Sequence, residues 1–163
     1  MAKNEIKLSL EEHKKIGIKF FNQIWGFIEK KNRSTEENEM MLHYAHASAL
    51  HWLLSEPPKV NKQRGDWIIS RVYAILNRPE SALIYAKRCY ANTEEPTKDN
   101  GFNRFDVAYA NEAMARAYAI AGNKAEFQKY YKKAQVEGDK ITDKGDKKYW
   151  DMDITSEPWN GMI

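Results

Sequence analysis

Hydrophobic side chains recur along most of this chain at intervals of three and four residues, which is the period of an amphipathic α-helix. In the first segment they fall at Ile16, Phe20, Ile24, Phe27 and Ile28. Almost no stretch alternates apolar and polar residues, as a half-buried strand would. The pattern therefore predicts an all-α protein.

Turn-forming residues divide this pattern into seven predicted helices. Ser34 and Glu37 have the spacing of a capping box. Pro79 suits the first turn of a helix, and Gly122, which lacks a Cβ, suits a helix end. The predicted helices are Leu8–Lys31, a helix capped by Ser34 and ending at Leu54, Lys59–Leu76, Pro79–Thr93, Arg104–Ala121, Lys124–Gly138 and Asp143–Met152. A connecting loop is predicted at Asn92–Asn103.

Length and composition favour a single folded domain. A chain of 163 residues is the size of one domain, and an aromatic content of 12% argues against disorder. We expect one helical domain over residues 1–163, with its core at residues 8–153 and an irregular tail at residues 154–163.

The third and fourth predicted helices match the fifth and sixth after a shift of 45 residues. The equivalent pairs are then Tyr73 and Tyr118, Ser70 and Ala115, and Asn77 and Gly122. Ser70 and Ala115 are small, so two helices can cross closely there, and the tyrosine fills the space beside them. The shift predicts two helix pairs of the same design.

This arrangement resembles the tetratricopeptide repeat, a helix–turn–helix unit of about 34 residues that stacks into a right-handed solenoid. The segments QRGDWIISRVYAILNRPESALIYAKRCY and FDVAYANEAMARAYAIAGNKAEF are also similar to a family of prokaryotic tetratricopeptide-like proteins of unassigned function, over roughly Leu42 to Gly138. Asp66 and Asn111 depart from the repeat, which often has tryptophan there. The resemblance implies a tetratricopeptide-like right-handed α-solenoid of about three helix pairs plus a C-terminal helix. It brings no catalytic or ligand residue with it.

In a solenoid of this kind the first helix of each pair lines a concave groove. The side chains predicted to line that groove are Arg64, Trp67, Arg71, Tyr109, Glu112 and Arg116. Guanidinium groups beside aromatic rings suit a carboxylate or phosphate and an adjoining apolar group. This predicts a cytoplasmic binding or scaffold module that captures a protein segment or a small anionic ligand.

A plainer interpretation of the same residues is that they satisfy one another. Glu112 and Arg116 are spaced to form an ion pair on a solvated helix surface. Arg71 could pair with Asp106 or Glu112 across the groove, and Trp67 could be ordinary core.

The stretch Met40–Leu54, MMLHYAHASALHWLL, contains three of the four histidines and no charged residue. A helix without charge around its circumference is expected to be surrounded by protein, with partly buried, neutral imidazoles. His43 and His46 share one face, and Glu112 could complete a metal site, which makes a metal-assisted enzyme the alternative function. Since no H-E-x-x-H motif is present, we predict no catalytic residue and no cofactor.

Net charge, hydropathy and cysteine content indicate which partners and which cellular compartment the sequence favours. A net charge of +3 without a dense basic stripe predicts no nucleic-acid binding. The longest uncharged run, Met40–Ser55, is too short to span a bilayer. Cys89 is the only cysteine, which fits a reducing cytoplasm and an inert buried thiol.

A third possible function is self-association. The apolar face of the first helix and the side chains of Trp150, Met152, Trp159 and Met162 could pair in a homodimer.

Overall fold

A computed structural model describes residues 7–163, so residues 1–6 of the predicted domain lie outside the described part of the chain. Within residues 7–163 the chain forms seven α-helices and no β-strand, which confirms the all-α prediction. The helices are α1 (Leu10–Ile28), α2 (Thr35–Leu54), α3 (Lys59–Ile75), α4 (Pro79–Asn92), α5 (Arg104–Ile120), α6 (Lys124–Gly138) and α7 (Lys144–Ile154). Each predicted boundary lies within about three residues of the observed one, as is usual for helix ends.

Side-chain caps fix where several helices begin. The Oγ of Ser34 accepts a hydrogen bond from the backbone N–H of Glu37, whose side chain accepts one from the N–H of Ser34, so the predicted capping box is confirmed. Equivalent boxes at Ser9 and Asn103 begin α1 and α5. Pro79 opens α4, where its missing N–H leaves no helical hydrogen bond unmade.

The helices pack in sequence as neighbouring pairs. α1 packs on α2, α3 on α4 and α5 on α6, while α2 contacts α3 and α4 contacts α5. Helix α3 also packs directly on α5, and α7 returns to α5. Helix α5 is therefore the most enclosed element, with nearly every residue from Asp106 to Ile120 buried.

The two helix pairs α3–α4 and α5–α6 end their first helix in the same way. Asn77 and Gly122 adopt left-handed φ angles of 53° and 74°. The N–H of the next residue then donates to the carbonyl of Tyr73 in one pair, at 2.9 Å, and of Tyr118 in the other, at 3.0 Å. These bonds satisfy carbonyls that the helix end would leave unpaired.

Aromatic packing follows the same 45-residue shift. Tyr73 stacks on Tyr85 and Tyr118 stacks on Tyr130, each with ring centroids 5.8 Å apart. The expected equivalence of Tyr73 and Tyr118 is thus present in the structure.

Helix α2 is not covered on all sides, so that prediction was wrong. Met41, Ala45 and Ser48 are buried, but several side chains on the other edge are exposed: Met40, His43, Leu50, Leu53 and Leu54. The reason is that α2 packs mainly against α1 and α3, which leaves one edge outward. The absence of charged residues therefore does not show that a helix is surrounded by protein.

Among residues 7–163, none of the helices combines the length and the apolar character that crossing a bilayer requires.

The chain after α7 has no regular secondary structure, and both α7 and this stretch contribute side chains to the core. The ring of Trp150 packs at right angles to that of Tyr109, with centroids 5.2 Å apart. Trp159 is 0% exposed and lies against Phe127 and Tyr131. Because Trp150 and Trp159 are buried within their own chain, they do not form the surface expected to pair in a homodimer. Met152 remains exposed.

Candidate functional site

The residues predicted to line a groove do come together on facing sides of α3 and α5. Those that are at most 7% exposed are Trp67, Arg71, Tyr109, Glu112 and Arg116. Arg64 lies at the edge, with its side chain 42% exposed. Trp67 and Glu112, like Arg71 and Arg116, are 45 residues apart, so the members of each pair are equivalent under the 45-residue shift. Packing of α3 on α5 brings such positions into contact.

Glu112 is at the centre of this cluster. Its Oε1 accepts hydrogen bonds from Arg71 Nη1, at 2.8 Å, and from Arg116 Nε, while its Oε2 accepts one from Trp67 Nε1 at 3.0 Å. Burial raises the pKa of Glu112, but the two guanidinium groups and the indole outweigh it, so the pKa lies below its ordinary value. Burial also lowers the pKa of Arg116 to about 10. The interpretation that these residues pair with one another is confirmed, although in the interior and not on a solvated surface.

The groove is not open as we expected, because the chain's own C-terminal segment occupies it. We use "tail segment" for residues 153–159. Arg116 Nη1 donates to the carbonyl oxygens of Ser156, at 2.8 Å, and Pro158, at 3.1 Å, and Nη2 donates to that of Asp153 at 3.1 Å. The guanidinium also lies 3.9 Å from the ring centroid of Trp159. A single arginine thus holds three backbone carbonyls and one aromatic ring of the tail segment.

Side chains make two further contacts with the tail segment. Arg71 Nη2 donates to Ser156 Oγ at 2.6 Å, and the hydroxyl of Tyr109 donates to Asp153 Oδ2 at 2.6 Å. Burial raises the pKa of Asp153, although the hydrogen bond from Tyr109 opposes this. Burial and the adjacent Asp153 carboxylate raise the pKa of Tyr109 as well.

Arg64 is already paired and does not reach into this cluster. Its Nε and Nη2 donate to the two oxygens of Asp106, at 2.7 and 3.1 Å. Asp106 also caps the start of α5 through the N–H of Asn103. Arg64 therefore acts as a clamp between α3 and α5.

The sequence reasoning missed Asp153, Ser156 and Trp159 as members of the site. One signal was present: Trp159 stands in a turn-forming tail without a helical pattern, and a large indole ring is usually buried. We expected another copy of the chain to bury it. Arg116 of α5 and the rings of Phe127 and Tyr131 on α6, all in the same chain, bury it instead.

The structure does not assemble the alternative metal site. His43 is exposed, His46 Nε2 lies 3.0 Å from the hydroxyl of Tyr73, and both oxygens of Glu112 are engaged by Arg71, Arg116 and Trp67. Among residues 7–163, no group of three or more histidine, cysteine, aspartate or glutamate side chains is placed to hold a metal ion. The remaining histidine of α2, His51, lies against His13 of α1, with 3.0 Å between their Nδ1 atoms.

Away from this cluster, a cleft of about 300 Å³ lies between α2, α3 and α4. His46, Asp66 and Arg88 are among its lining residues. Burial raises the pKa of Asp66 even though Arg88 lies 3.0 Å away and opposes the shift.

Cys89 is buried as predicted, and burial raises the pKa of its thiol well above the ordinary value, so it is a poor nucleophile.

No protein-family model, no curated protein and no solved structure matches this chain.

Proposed function

We propose that this protein is a cytoplasmic tetratricopeptide-like binding module whose groove along α3 and α5 binds a polypeptide segment. The solenoid part of this proposal is supported by the 45-residue repeat, in which turn geometry and tyrosine stacking recur in α3–α4 and α5–α6. It is also supported by the direct packing of α3 on α5, the first helices of those two pairs. The tail segment, in this view, occupies the groove when no partner is bound.

The observation that carries the proposal is the set of bonds from Arg116 to three backbone carbonyls. Backbone carbonyls are common to all polypeptides, so a side chain that donates hydrogen bonds to them can bind peptides of many different sequences. Beside it, Phe127 and Tyr131 form an apolar place for an aromatic anchor, now taken by Trp159. Buried aromatic anchors supply much of the affinity in peptide recognition.

A small anionic ligand, the other partner that we predicted, fits this cluster less well than a polypeptide does. Glu112 lies between the two buried guanidinium groups and already neutralises part of their charge. A free anion would have to compete with that carboxylate in a buried site, whereas a polypeptide gains additional hydrogen bonds and aromatic packing.

Competition between the tail segment and a partner has a quantitative consequence. When only a small fraction of a protein is in the binding-competent state, its apparent affinity for a ligand falls in proportion to that fraction. Weakening the tail segment's own hold must therefore tighten the binding of a peptide added in solution.

The test uses the full chain with Trp159→Ala and a fluorescein-labelled peptide of residues 151–163. By fluorescence anisotropy, we expect the variant to bind this peptide at least about tenfold more tightly than the wild-type chain does. Tyr149→Ala, in which an exposed aromatic of α7 is removed, is the control and should bind as the wild type does. If neither chain binds the peptide, the groove is not a polypeptide site.

A further inference from the structure

Without the tail segment, the buried side chains of the groove carry more positive than negative charge. Arg71 and Arg116 carry two positive charges and Glu112 carries one negative charge, all of them buried, so the cluster has a net charge of +1. A buried charge without a counter-charge is costly. The occupant of the groove is therefore expected to contribute one negative charge.

The hydrogen bonds of Arg71 indicate where that charge belongs. Arg71 Nη1 donates to Glu112, and Nη2 donates to Ser156 Oγ. Its Nε is buried and has no hydrogen-bond partner within residues 7–163. The Nε–H and Nη2–H bonds of a guanidinium point the same way along one edge, with the spacing of the two oxygens of a carboxylate. A serine hydroxyl offers one oxygen, so half of this edge is left without a partner.

The same protein shows this edge filled. On the same helix, Arg64 uses its Nε and Nη2 to bind Oδ1 and Oδ2 of Asp106, at 2.7 and 3.1 Å. An unpaired buried donor costs free energy, whereas a hydrogen bond to a charged acceptor is stronger than one to a hydroxyl. On this edge, Arg71 therefore makes one hydrogen bond to a hydroxyl, whereas a carboxylate would accept two stronger ones.

The tail segment brings two carboxylates, but neither lies on the free edge of Arg71. Glu157 accepts a hydrogen bond from the backbone N–H of Trp159, and Asp153 lies near enough for Arg71 and Arg116 to oppose the rise of its pKa. Asp153 accepts its hydrogen bond from the hydroxyl of Tyr109. Neither Arg71 nor Arg116 forms an ion pair with Asp153, since their ion pairs within residues 7–163 are with Glu112. The chain's own tail segment is thus an imperfect occupant, which a better-matched segment can displace.

We infer that the preferred occupant of this groove is a polypeptide segment with an aspartate at the position of Ser156, and that Arg71 is the residue that selects it. This inference rests on the proposed function, because it names the partner of the same groove. Arg116 holds the backbone of the segment, and Arg71 reads one side chain.

The experiment compares four labelled peptides of residues 151–163 on the full chain with Trp159→Ala. One has the natural sequence and the others contain Ser156→Asp, Ser156→Asn or Thr155→Asp. Thr155 is exposed in the folded chain, so Thr155→Asp adds the same charge without placing it at Arg71. We expect Ser156→Asp to bind about tenfold more tightly than the natural peptide, and the other two to stay within about threefold of it. In a receptor with Arg71→Lys in addition, the preference for Ser156→Asp should disappear, because an ammonium cannot form the two-pronged contact.

The outcomes separate the two proposals. If all four peptides bind with equal affinity, or if Thr155→Asp gains as much as Ser156→Asp, the selectivity of Arg71 is overturned while the polypeptide groove stands. If none binds, both proposals fail.

A second measurement does not depend on the folding of the Trp159→Ala receptor. In the full-length chain the equilibrium constant for folding should be about tenfold larger with Ser156→Asp than with Ser156→Asn, since both substitutions remove the same hydroxyl. Equal or lower stability of the aspartate variant would overturn the inference.

Discussion

The carboxylate of Glu112 accepts hydrogen bonds from Trp67, Arg71 and Arg116, and so joins α3 to α5 in the interior. Spacing along the two helices was enough to predict which residues gather here, because helical periodicity and the 45-residue repeat are properties of the sequence. The sequence did not indicate that the cluster would be buried, since that depends on a tail segment that is distant in sequence and has no helical pattern. Local patterns identify faces of helices but not what covers them.

Replacing Glu112 tests the role of this carboxylate. Glu112→Gln leaves two buried guanidinium groups without their counter-charge, and breaking a buried ion pair in this way costs about 3–5 kcal/mol. We expect a loss of that size in the free energy of unfolding from urea denaturation. Glu95→Gln is the matched control: Glu95 also pairs with an arginine, Arg104, but is 74% exposed, so its loss should cost less than about 1 kcal/mol. Equal effects of the two substitutions would contradict the central place of Glu112.

His46 gives the stability a pH dependence of known sign. Burial, followed by the charges of His43 and Arg88, lowers the pKa of His46 in the folded chain. Between that lowered pKa and the unfolded value of about 6.5, the unfolded chain binds more protons, so the contribution of His46 to stability rises with pH. Urea denaturation at several pH values from 5 to 7.5 should show a shallower rise for His46→Gln than for the wild type. Identical slopes would show that His46 is not a source of this dependence.

Among the helices, the two pairs α3–α4 and α5–α6 are the ones that the sequence predicts best. Capping residues, proline and the left-handed turn positions act within a few residues, so the helix boundaries follow from local chemistry. The environment of α2 was predicted wrongly because exposure depends on how many neighbours a helix has. The docking of α7 could not be predicted at all from its short pattern, since it depends on a contact between Trp150 and the end of α6.

That contact provides a test with an internal control. A Cβ added at Gly138, the last residue of α6, would overlap the indole ring of Trp150. Gly138→Ala should therefore displace α7 and lower the free energy of unfolding by about 1–3 kcal/mol. Gly26→Ala, in the last turn of α1 with nothing within 4 Å of the added Cβ, should instead raise it, by up to about 0.5–1 kcal/mol. If Gly138→Ala is as harmless as Gly26→Ala, α7 does not pack as described.

Across the molecule, neighbouring helices pack as pairs, and the tail segment lies against residues of α3 and α5. Arg116 and Trp159 connect the two parts through three carbonyl contacts and a stacked ring. The tail segment contacts Arg71, Arg116 and the hydroxyl of Tyr109. Its departure would free these groups without requiring α3 and α5 to separate. The proposed function needs only this local exchange.

The indole N–H of Trp159 reports this exchange most directly. In ¹⁵N-labelled full-length protein its resonance is identified by its absence from the Trp159→Phe variant. Saturating, unlabelled peptide of residues 151–163 with Ser156→Asp is then added. We predict that the Trp159 resonance moves to the position of a solvent-exposed indole while the chain stays folded, because the peptide takes the place of the tail segment. A peptide that binds and leaves the Trp159 resonance unmoved would show that the peptide and the tail segment do not compete for the groove, and would contradict the proposed exchange.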